Sequence, residues 1–522
     1  MMTFPWLTTL LVLPLVGALV VSLLPKGSSL VRPVALGAAL LTLAVGVGSA
    51  TQFRFSGAAG GEQFQLTEVY SWIPQFGVSY ALGVDGISLS MILLGLVLVP
   101  ICIVAAWDDV PAVGRRQHGY FALMLALTSM MVGVFAAIDV FLFYVFFEAM
   151  LIPVYFLIGM FGGTRRAKAA TTFLLYSLAG GLIMLVAVIG VYLAGPRGTD
   201  GFLLSNLTGM DLSVEAGRWL FLGFFIAFAI KAPMWPVHTW LPLAAEQARP
   251  ATSVLLVGVL DKVGTYGMIR FCLALFPEAS QWATPVILTL ALISLFVGAF
   301  LAIGQTDMLR LISYTSISHF GFIVLGIFAF TTVSQTGATL YMVNHGFTTA
   351  GLFLVAGMLI VRRGSRDLRD FGGWQRVTPL VAGALLVSGL SGLALPGLNS
   401  FVSEFLVIVG TFGRHPWLAV ISALGVILAA VYILVMYQKV ATGPKPVGPE
   451  VEGIPDMTRR EKWVVAPIIA AFLVLGFYPK PVLDLLEPAV QQTLQTVGIS
   501  DPAPAVDTGL ATTTSDSEGS DH

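Results

Sequence analysis

The sequence predicts an all-α polytopic membrane protein, on the strength of its composition and of its repeated apolar runs. Of its 522 residues, 57% are hydrophobic and only 11% are charged, and the mean hydropathy is +0.89. Apolar runs of about 20 residues, each long enough to cross roughly 30 Å of hydrocarbon, recur along the chain. We count about 14 such runs and expect each to be a transmembrane helix.

The predicted spans follow one another with only short connections. The first begins after MMTFPW, which is neither a basic leader nor followed by a small-residue cleavage site, so we expect a retained helix rather than a signal peptide. Cys102 and Cys272 fall inside spans and indicate no disulfide framework, zinc site or iron–sulfur site. The spans lie near residues 4–24, 30–50, 80–106, 117–137, 138–160, 169–194, 217–238, 252–276, 282–304, 308–330, 333–361, 377–395 (continuing to about 412), 416–438 and 463–479.

The basic residues are unevenly divided between the two sets of alternating loops. With the N-terminus outside, the inside loops hold 19 of the 27 Lys and Arg residues, and the outside loops hold 5. Lys- and Arg-rich loops stay on the inner side of a membrane, so both termini are predicted to lie outside. The C-terminal residues 501–522, rich in Ser, Thr and Asp, are predicted to form a disordered acidic tail.

Ten of the spans are predicted to form two repeats, in residues 111–277 and 278–440. In each repeat the fourth span is interrupted by proline, near 231–247 and near 392–412. Repeats with an odd number of spans have opposite orientations, and paired broken helices in inverted halves are typical of a transport site. Ordinary proline kinks are the alternative. The remaining predicted parts are spans 1–3 in residues 1–110, a loop and last span in 441–482, and a C-terminal segment in 483–522.

Four charged residues lie within otherwise apolar spans: Lys231, Lys262, Glu148 and Glu404. An ionised side chain at the centre of a bilayer costs roughly 2.5–3.5 kcal/mol, so such residues usually have a function. We predict that they form a route for protons or ions, and that Glu148 is a partner of Lys231. The alternatives are a static ion pair, a lysine whose ammonium reaches the interface, and a carboxyl held neutral by a hydrogen bond.

Histidines in the neighbouring spans extend this predicted route. His319 and His345 lie in consecutive spans, and imidazole titrates near physiological pH, so both suit a relay between Lys262 and Glu404. His238, near the first break, is a secondary candidate that would link the first half to the inside. Packing residues held by hydrogen bonds are the alternative for each histidine. Arg270, near a helix end, is expected to be structural. Asp139, at the start of a span, is expected to be a helix cap or an interfacial residue.

The sequence contains no phosphate-binding loop, dinucleotide fingerprint, haem-ligand pair or metal cluster. Any redox chemistry therefore belongs to another chain. The basic loops follow the membrane topology and do not indicate binding to nucleic acid.

Several stretches resemble one known family, the antiporter-like membrane subunits of respiratory complex I, which is shared with Mrp-type cation/proton antiporters. The resemblance covers residues from about 80 to 440. Within the family the chain is most similar to the chain M type of bacterial NADH:quinone oxidoreductase, because chains L and N typically carry lysine where this chain has Glu404. The stretches are FYVFFEAMLIPVYFLIG, FAIKAPMWPVHTWLPLAAEQARPATSVLLVGVLDKVGTYGMIRF, ISYTSISHFGFIVLG and MVNHGFTTAGLFLVAG.

The resemblance implies a central polar axis and a role in proton pumping driven by NADH oxidation and quinone reduction in other subunits. It implies no cofactor on this chain, with FMN, iron–sulfur clusters and quinone on partner subunits. The implied partners are membrane and peripheral subunits of complex I, including flanking sister subunits, together with lipids and protons, in a bacterial cell membrane. The implied roles are Glu148 and Lys231 as the coupling pair, Lys262 as the central relay, His319 and His345 as its continuation, and Glu404 on the exit side.

Three other functions fit parts of the same evidence. A sodium/proton antiporter subunit would carry much the same axis, and is distinguished by Glu404 and by whether redox subunits copurify. The membrane anchor of a hydrogenase-type complex would copurify with nickel. A passive scaffold would be unaffected by neutralising Lys231.

Overall fold

The computed structural model describes residues 4–55, 63–111, 114–446, 448 and 451–503. Most of the predicted acidic tail, residues 504–522, lies outside the described residues. The described chain is predominantly helical. Its helices are α1 Trp6–Leu23, α2 Val31–Gln52, α3 Gly86–Ala105, α4 Arg116–Ala136, α5 Val140–Ala149, α6 Leu151–Phe161, α7 Arg166–Ala194, α8 Leu204–Leu207, α9 Val214–Lys231, α10 Trp240–Gln247, α11 Pro250–Leu255, α12 Lys262–Gly267, α13 Pro277–Ile303, α14 Met308–Phe328, α15 Thr332–Arg363, α16 Pro379–Gly392, α17 Asn399–Arg414, α18 Pro416–Ala441, α19 Arg459–Phe477 and α20 Lys480–Val497.

The predicted polytopic architecture is confirmed at the level of 11 to 12 spans. Within the described residues, 11 helical stretches are long and apolar enough to cross a membrane, and α19 with α20, bent by 69°, would make a twelfth. Two further predicted spans coincide with α9, which carries three charged residues, and with α16, which has 14 residues. The count of 14 therefore stays a prediction.

The prediction that the chain is entirely α-helical is wrong at one place, because residues 65–84 form a β-hairpin. Its strands, β1 Gln65–Ile73 and β2 Val78–Val84, pair antiparallel through a turn at Gly77, whose φ is +68°. The third predicted span therefore begins at Gly86 rather than near residue 80. The alternating Val, Tyr and Trp residues of LTEVYSWI favour a strand over a helix.

The hairpin contacts the start of α1 and the start of α5 on one side of the bundle. We call this side the hairpin face. Glu68 accepts hydrogen bonds from the backbone N–H of Leu7, at 2.8 Å, and of Thr8, so its carboxylate caps the start of α1. The N–H of Ser79 donates to Asp139 at 3.0 Å. Asp139 also caps α5 by accepting from the Leu142 N–H at 2.8 Å, as the sequence predicts.

The amphipathic helix α20 also lies on the hairpin face, and the sequence analysis did not identify it. Apolar residues recur every three to four positions in KPVLDLLEPAVQQTLQTV, and Leu486, Val490 and Leu494 are buried. Gln281 donates to the Val497 carbonyl at 3.0 Å, and the Thr332 N–H donates to Asp501 at 2.7 Å. Both ends of the described chain therefore lie at this face, and which side of the membrane it faces stays a prediction.

A buried glutamate holds the opposite face together. Glu246, at the end of α10, has a side chain only 1% exposed. Its carboxylate pairs with Arg165 at 2.5 Å, Arg366 at 2.8 Å and Arg310 at 3.4 Å. Arg165 and Arg366 lie in two different loops and Arg310 lies in the first turn of α14, so the single carboxylate links segments of both predicted repeats. A buried charge is tolerated when it is paired in this way.

Candidate functional site

At the first helix break, which follows α9, a buried lysine has no hydrogen-bond partner. Lys231 is the last residue of α9 and is 1% exposed, and its Nζ has no hydrogen-bond partner. The ammonium lies 5.2 Å from the ring centroid of Phe147 and 5.5 Å from that of Phe173. Trp240, after the break, donates from its indole N–H to the Ile230 carbonyl at 2.9 Å. The indole thus satisfies a carbonyl that the end of the helix leaves free.

Glu148, near the end of α5, lies next to this lysine without touching it. The Glu148 carboxylate packs against Gly181 of α7, where a Cβ would lie only 1.6 Å from Oε1, and the neighbouring Gly180 packs against Ile230, the residue before Lys231. No ion pair within 4.0 Å joins Glu148 to Lys231 in the structure. Neither Oε1 of Glu148 nor Nζ of Lys231 has a hydrogen-bond partner. The predicted partner is therefore close by but not bonded.

Lys262 lies in a helix that is interrupted by wider turns. The stretch from Pro250 to Leu273 is fully buried and contains π-helical turns at Leu256–Leu260 and Met268–Leu273, on either side of α12. Such π turns within α-helices occur frequently at functional sites. Lys262 is 0% exposed, and its Nζ donates to the Val257 carbonyl at 2.5 Å.

The same ammonium reaches the predicted histidine relay directly. Nζ of Lys262 lies 2.7 Å from Nδ1 of His345 on α15, which is hydrogen-bonding distance. The ring of His345 lies 5.3 Å, centroid to centroid, from that of His319 on α14. Three sequence-predicted residues from different helices are thus brought into one line.

Two tyrosines continue the line to Glu404. The rings of His319 and Tyr341 lie 5.8 Å apart, and the Tyr341 hydroxyl donates to Oε2 of Glu404 at 3.2 Å. Tyr432 of α18 lies with its hydroxyl 3.1 Å from Nε2 of His319. Glu404 is 3% exposed, and its second oxygen, Oε1, has no partner. The polar line from Lys262 therefore ends at a buried carboxyl.

The second helix break, between α16 and α17, is closed by a polar network. Asn344 of α15 and Asn399 at the start of α17 each donate from their amide to the other's carbonyl, at 2.7 and 3.0 Å. Ser391 donates to the Asn399 side chain at 2.6 Å, and Thr348 lies 2.6 Å from Ser391. These bonds satisfy the backbone where the helix is interrupted.

The secondary candidates have different surroundings. His238 lies within the first break and is 5% exposed, but its Nδ1 has no partner and no hydrogen bond joins its ring to Lys231. Arg270 is fully buried and pairs with Asp85 at 2.5 Å, with its guanidinium 4.8 Å from the Phe64 ring centroid. This pair ties α3 to the end of the Lys262 helix, which agrees with a structural role for Arg270.

Tyr341, Tyr432 and Asp261 lie among these residues and were not identified from the sequence. Tyr341 precedes His345 by four residues on α15, and this spacing places both on one face of the helix. That signal was present in the sequence. Tyr432 gave no such signal, because only the packing of α18 against α14 brings its hydroxyl to His319.

The arrangement suits proton transfer better than ligand chemistry. Among the described residues, no group of three His, Cys, Asp or Glu side chains is placed to hold a metal ion. The buried groups are amines, imidazoles, phenols and carboxyls, each able to gain or lose a proton. Between Lys262 and Glu404 they are joined by hydrogen bonds between helices or lie ring against ring.

Comparisons with known proteins agree on one family. Residues 137–430 match the family model described as NADH:quinone oxidoreductase/Mrp antiporter, TM. The chain is 51% identical to NADH-quinone oxidoreductase subunit M of Mycobacterium tuberculosis, over 96% of each chain, and 37% identical to subunit M of Escherichia coli K12, over 94% of this chain and 97% of that one.

Solved structures have the same fold. A chain of respiratory complex I from Thermus thermophilus superposes with a TM-score of 0.84 at 31% identity, covering 94% of this chain and all of that chain. A chain of the Mrp complex from Dietzia superposes with a TM-score of 0.81 at 23% identity, covering 94% of this chain and 99% of that chain. The second likeness shows the fold alone.

Proposed function

The chain belongs to the subunit M family of NADH:quinone oxidoreductase, within the wider group that includes Mrp antiporters, and we propose that it moves protons across the membrane along its buried polar line. The observation that supports this most is the 2.7 Å contact between Lys262 and His345 at the centre of the line. NADH oxidation and quinone reduction elsewhere in the assembly would supply the energy.

The central transfer begins at Lys262. Its ammonium passes a proton to Nδ1 of His345 along the existing contact and becomes a neutral amine. No hydrogen bond joins the His345 and His319 rings, and His345 Nε2 and His319 Nδ1 both lack partners, so a water molecule would complete that link. The phenols of Tyr341 and Tyr432 orient the last transfer, and Glu404 receives the proton before its release.

The first half supplies the trigger. A buried ammonium is stabilised when a carboxylate comes close and is destabilised when that carboxylate withdraws. Lys231 has no partner on its Nζ, and Glu148 lies nearby without contact. When Glu148 approaches, Lys231 holds its proton; when Glu148 moves away, Lys231 releases it. Because Gly181 has no Cβ, the Glu148 carboxylate can pack directly against α7 in this position.

The repeats and the finer topology belong to the same proposal. We propose 14 spans, with inverted repeats at 111–277 and 278–440 flanked by residues 1–110, 441–482 and 483–522. In the first repeat the titratable residue, Lys231, comes before the helix break. In the second repeat the titratable residue, Glu404, comes after it. Both termini would lie outside, in the cell membrane of a bacterium.

The assembly would complete the function. We propose that FMN, iron–sulfur clusters and quinone are held by other subunits and that sister antiporter-like subunits flank this chain. Sodium/proton exchange without a redox partner is the competing function, because its axis would contain much the same residues. The relatives named subunit M, at up to 51% identity, favour the redox-driven pump.

Replacing the central lysine tests the proposal. In membrane vesicles carrying the whole complex, Lys262→Met is expected to lower NADH-driven, quinone-dependent proton uptake by about 100-fold, the lower range for loss of a positioned acid–base group. Lys439→Met, at an exposed position on α18, is the matched control and should pump normally. Assembly is checked by native gel. Normal uptake in an assembled Lys262→Met complex would reject the proposed line.

A further inference from the structure

Asp261 is a buried carboxylate that the proposed route does not use. It lies next to Lys262, at the end of the π turn Leu256–Leu260, and is 0% exposed. Neither of its carboxylate oxygens has a hydrogen-bond partner in the structure. Leaving a buried polar group without a partner costs free energy, and a charged one costs more. A residue kept in this state points to a function.

The helix geometry directs Asp261 towards the first half. Three residues later, Gly264 touches the end of α9, where a Cβ would lie 2.5 Å from both the Ala232 nitrogen and the Phe228 carbonyl. Residues three apart on a helix share a face, so Asp261 lies on the side of the helix that meets the end of α9. Lys262, about 100° further round the helix, reaches His345 instead.

Asp261 lies between the two lysines of the proposed route. It directly precedes Lys262, and its side of the helix meets the end of α9, whose last residue is Lys231. Lys231 has no hydrogen-bond partner on Nζ, and Lys262 is bonded only towards Val257 and His345. No ion pair within 4.0 Å joins Asp261 to either ammonium, so its carboxylate lies between the trigger and the central line without being fixed to either.

We propose that the Asp261 carboxylate is the proton relay between Lys231 and Lys262. This inference rests on the proposed function and adds a residue that the line lacks. Lys231 gives a proton to Asp261, leaving a neutral amine and a neutral carboxylic acid. The acid then gives that proton to Lys262, whose amine has been left neutral by transfer to His345, and the carboxylate is restored. Water molecules bridge gaps longer than a hydrogen bond.

The first test compares turnover of three variants in the assembled complex. Asp261→Asn keeps the size of the side chain but cannot gain or lose a proton near neutral pH. It is expected to lower NADH-driven proton uptake by about tenfold or more. Asp261→Glu retains the carboxyl and should restore most of the uptake. Glu487→Gln, an exposed acid on α20, is the control and should match wild type.

The second test separates a relay from a fixed counter-charge. A relay becomes protonated during turnover, so the infrared difference spectrum on adding NADH should contain a carboxylic C=O band that is absent in Asp261→Asn and shifted in Asp261→Glu. If uptake falls in Asp261→Asn but no such band exists, Asp261 is only a counter-charge and the relay is rejected. If Asp261→Asn does not assemble, the band in wild type and its shift in Asp261→Glu decide the question.

The two proposals fail in different ways. If Lys262→Met stops proton uptake while Asp261→Asn pumps like wild type, the relay is wrong and the proposed function stands. If both variants pump normally, the proposed function itself fails.

Discussion

The two halves of the buried route differ in how firmly their polar groups are held. From Lys262 to Glu404 the side chains are joined by hydrogen bonds or lie ring against ring, and the second helix break is closed by reciprocal bonds between Asn344 and Asn399. Single atoms of His319, His345 and Glu404 also lack partners there. In the first half, by contrast, the side chains of Lys231, Asp261 and Glu148 make no hydrogen bond at all in the described part of the chain.

This difference indicates a division of labour. Groups held in fixed hydrogen bonds suit conduction, because each transfer begins from a preset geometry. Unpartnered charges in an apolar setting suit switching, because a small movement changes their electrostatic energy greatly where the effective dielectric constant is low. We therefore regard the first half as the switch and the second half as the conductor. The predictions below run from the largest expected effect to the smallest.

The largest loss of proton conduction is expected when His345, the acceptor next to Lys262, is replaced. His345→Leu deletes the acceptor that lies 2.7 Å from Lys262 and leaves no titratable group between Lys262 and His319. We expect turnover of the assembled complex to fall by about 100-fold. NADH-driven proton uptake in vesicles measures it. His415→Leu, outside the line at the start of α18, should pump normally, and equal rates in both variants would contradict a single conducting line.

Mutations that remove hydrogen bonds should destabilise the protein more at the second helix break than at the first. Asn399→Leu removes the amide that bonds to the Asn344 carbonyl and the oxygen that accepts from Ser391, so two buried hydrogen bonds are lost, although Ser391 keeps its contact with Thr348. We expect the free energy of unfolding to fall by about 2 kcal/mol, since each buried hydrogen bond contributes about 0.5–1.5 kcal/mol. Loss of the folded complex on heating, followed by native gel, reports this change. An unchanged midpoint would mean that the network does not stabilise the break.

Removing one hydroxyl should weaken conduction without stopping it. Tyr341→Phe keeps the ring near His319 but deletes the bond to Glu404 at 3.2 Å. We expect proton uptake to fall by about tenfold, less than for loss of a positioned acid–base group. Tyr314→Phe, on the neighbouring helix α14 and outside the polar line, is the control. A full loss of uptake in Tyr341→Phe would show that the phenol itself carries the proton rather than orienting Glu404.

The smallest effect is expected at the first break. Trp240→Phe removes one hydrogen bond, from the indole N–H to the Ile230 carbonyl. The expected loss of stability is about 1 kcal/mol, half of that for Asn399→Leu, and the same heating assay measures it. A loss larger than that of Asn399→Leu would reverse the contrast between the two breaks.

The apolar spans and most of the charged residues of the proposed axis could be identified from the sequence, because long apolar runs and the few charges within them stand out in its composition. An apolar run that contains Lys262 or Glu404 stands out against its surroundings whatever the fold. The hairpin was missed because residues 65–84 were divided between a connection and the start of the third predicted span, near residue 80. Helix α20 was missed because its apolar stripe is too narrow for a span. Both elements cover the ends of the bundle.

The residues missed within the site have a different explanation. Asp261 directly precedes Lys262, but adjacent residues on a helix lie about 100° apart, so the sequence alone does not show which neighbour the carboxylate faces. Tyr432 depends on which helices pack together, and hydropathy carries no information about that. The sequence therefore identifies charges that must be buried, whereas their partners follow from tertiary packing.

The switch is tested most directly at Glu148. Membrane vesicles carrying the complex with Glu148→Ala are compared with wild type for NADH oxidation and quinone-dependent proton uptake, with assembly checked by native gel. If Glu148 controls the proton on Lys231, the complex assembles and both activities collapse together. If both activities continue unchanged in the assembled complex, the pair does not couple the two halves, and the account of the first half as a switch is wrong.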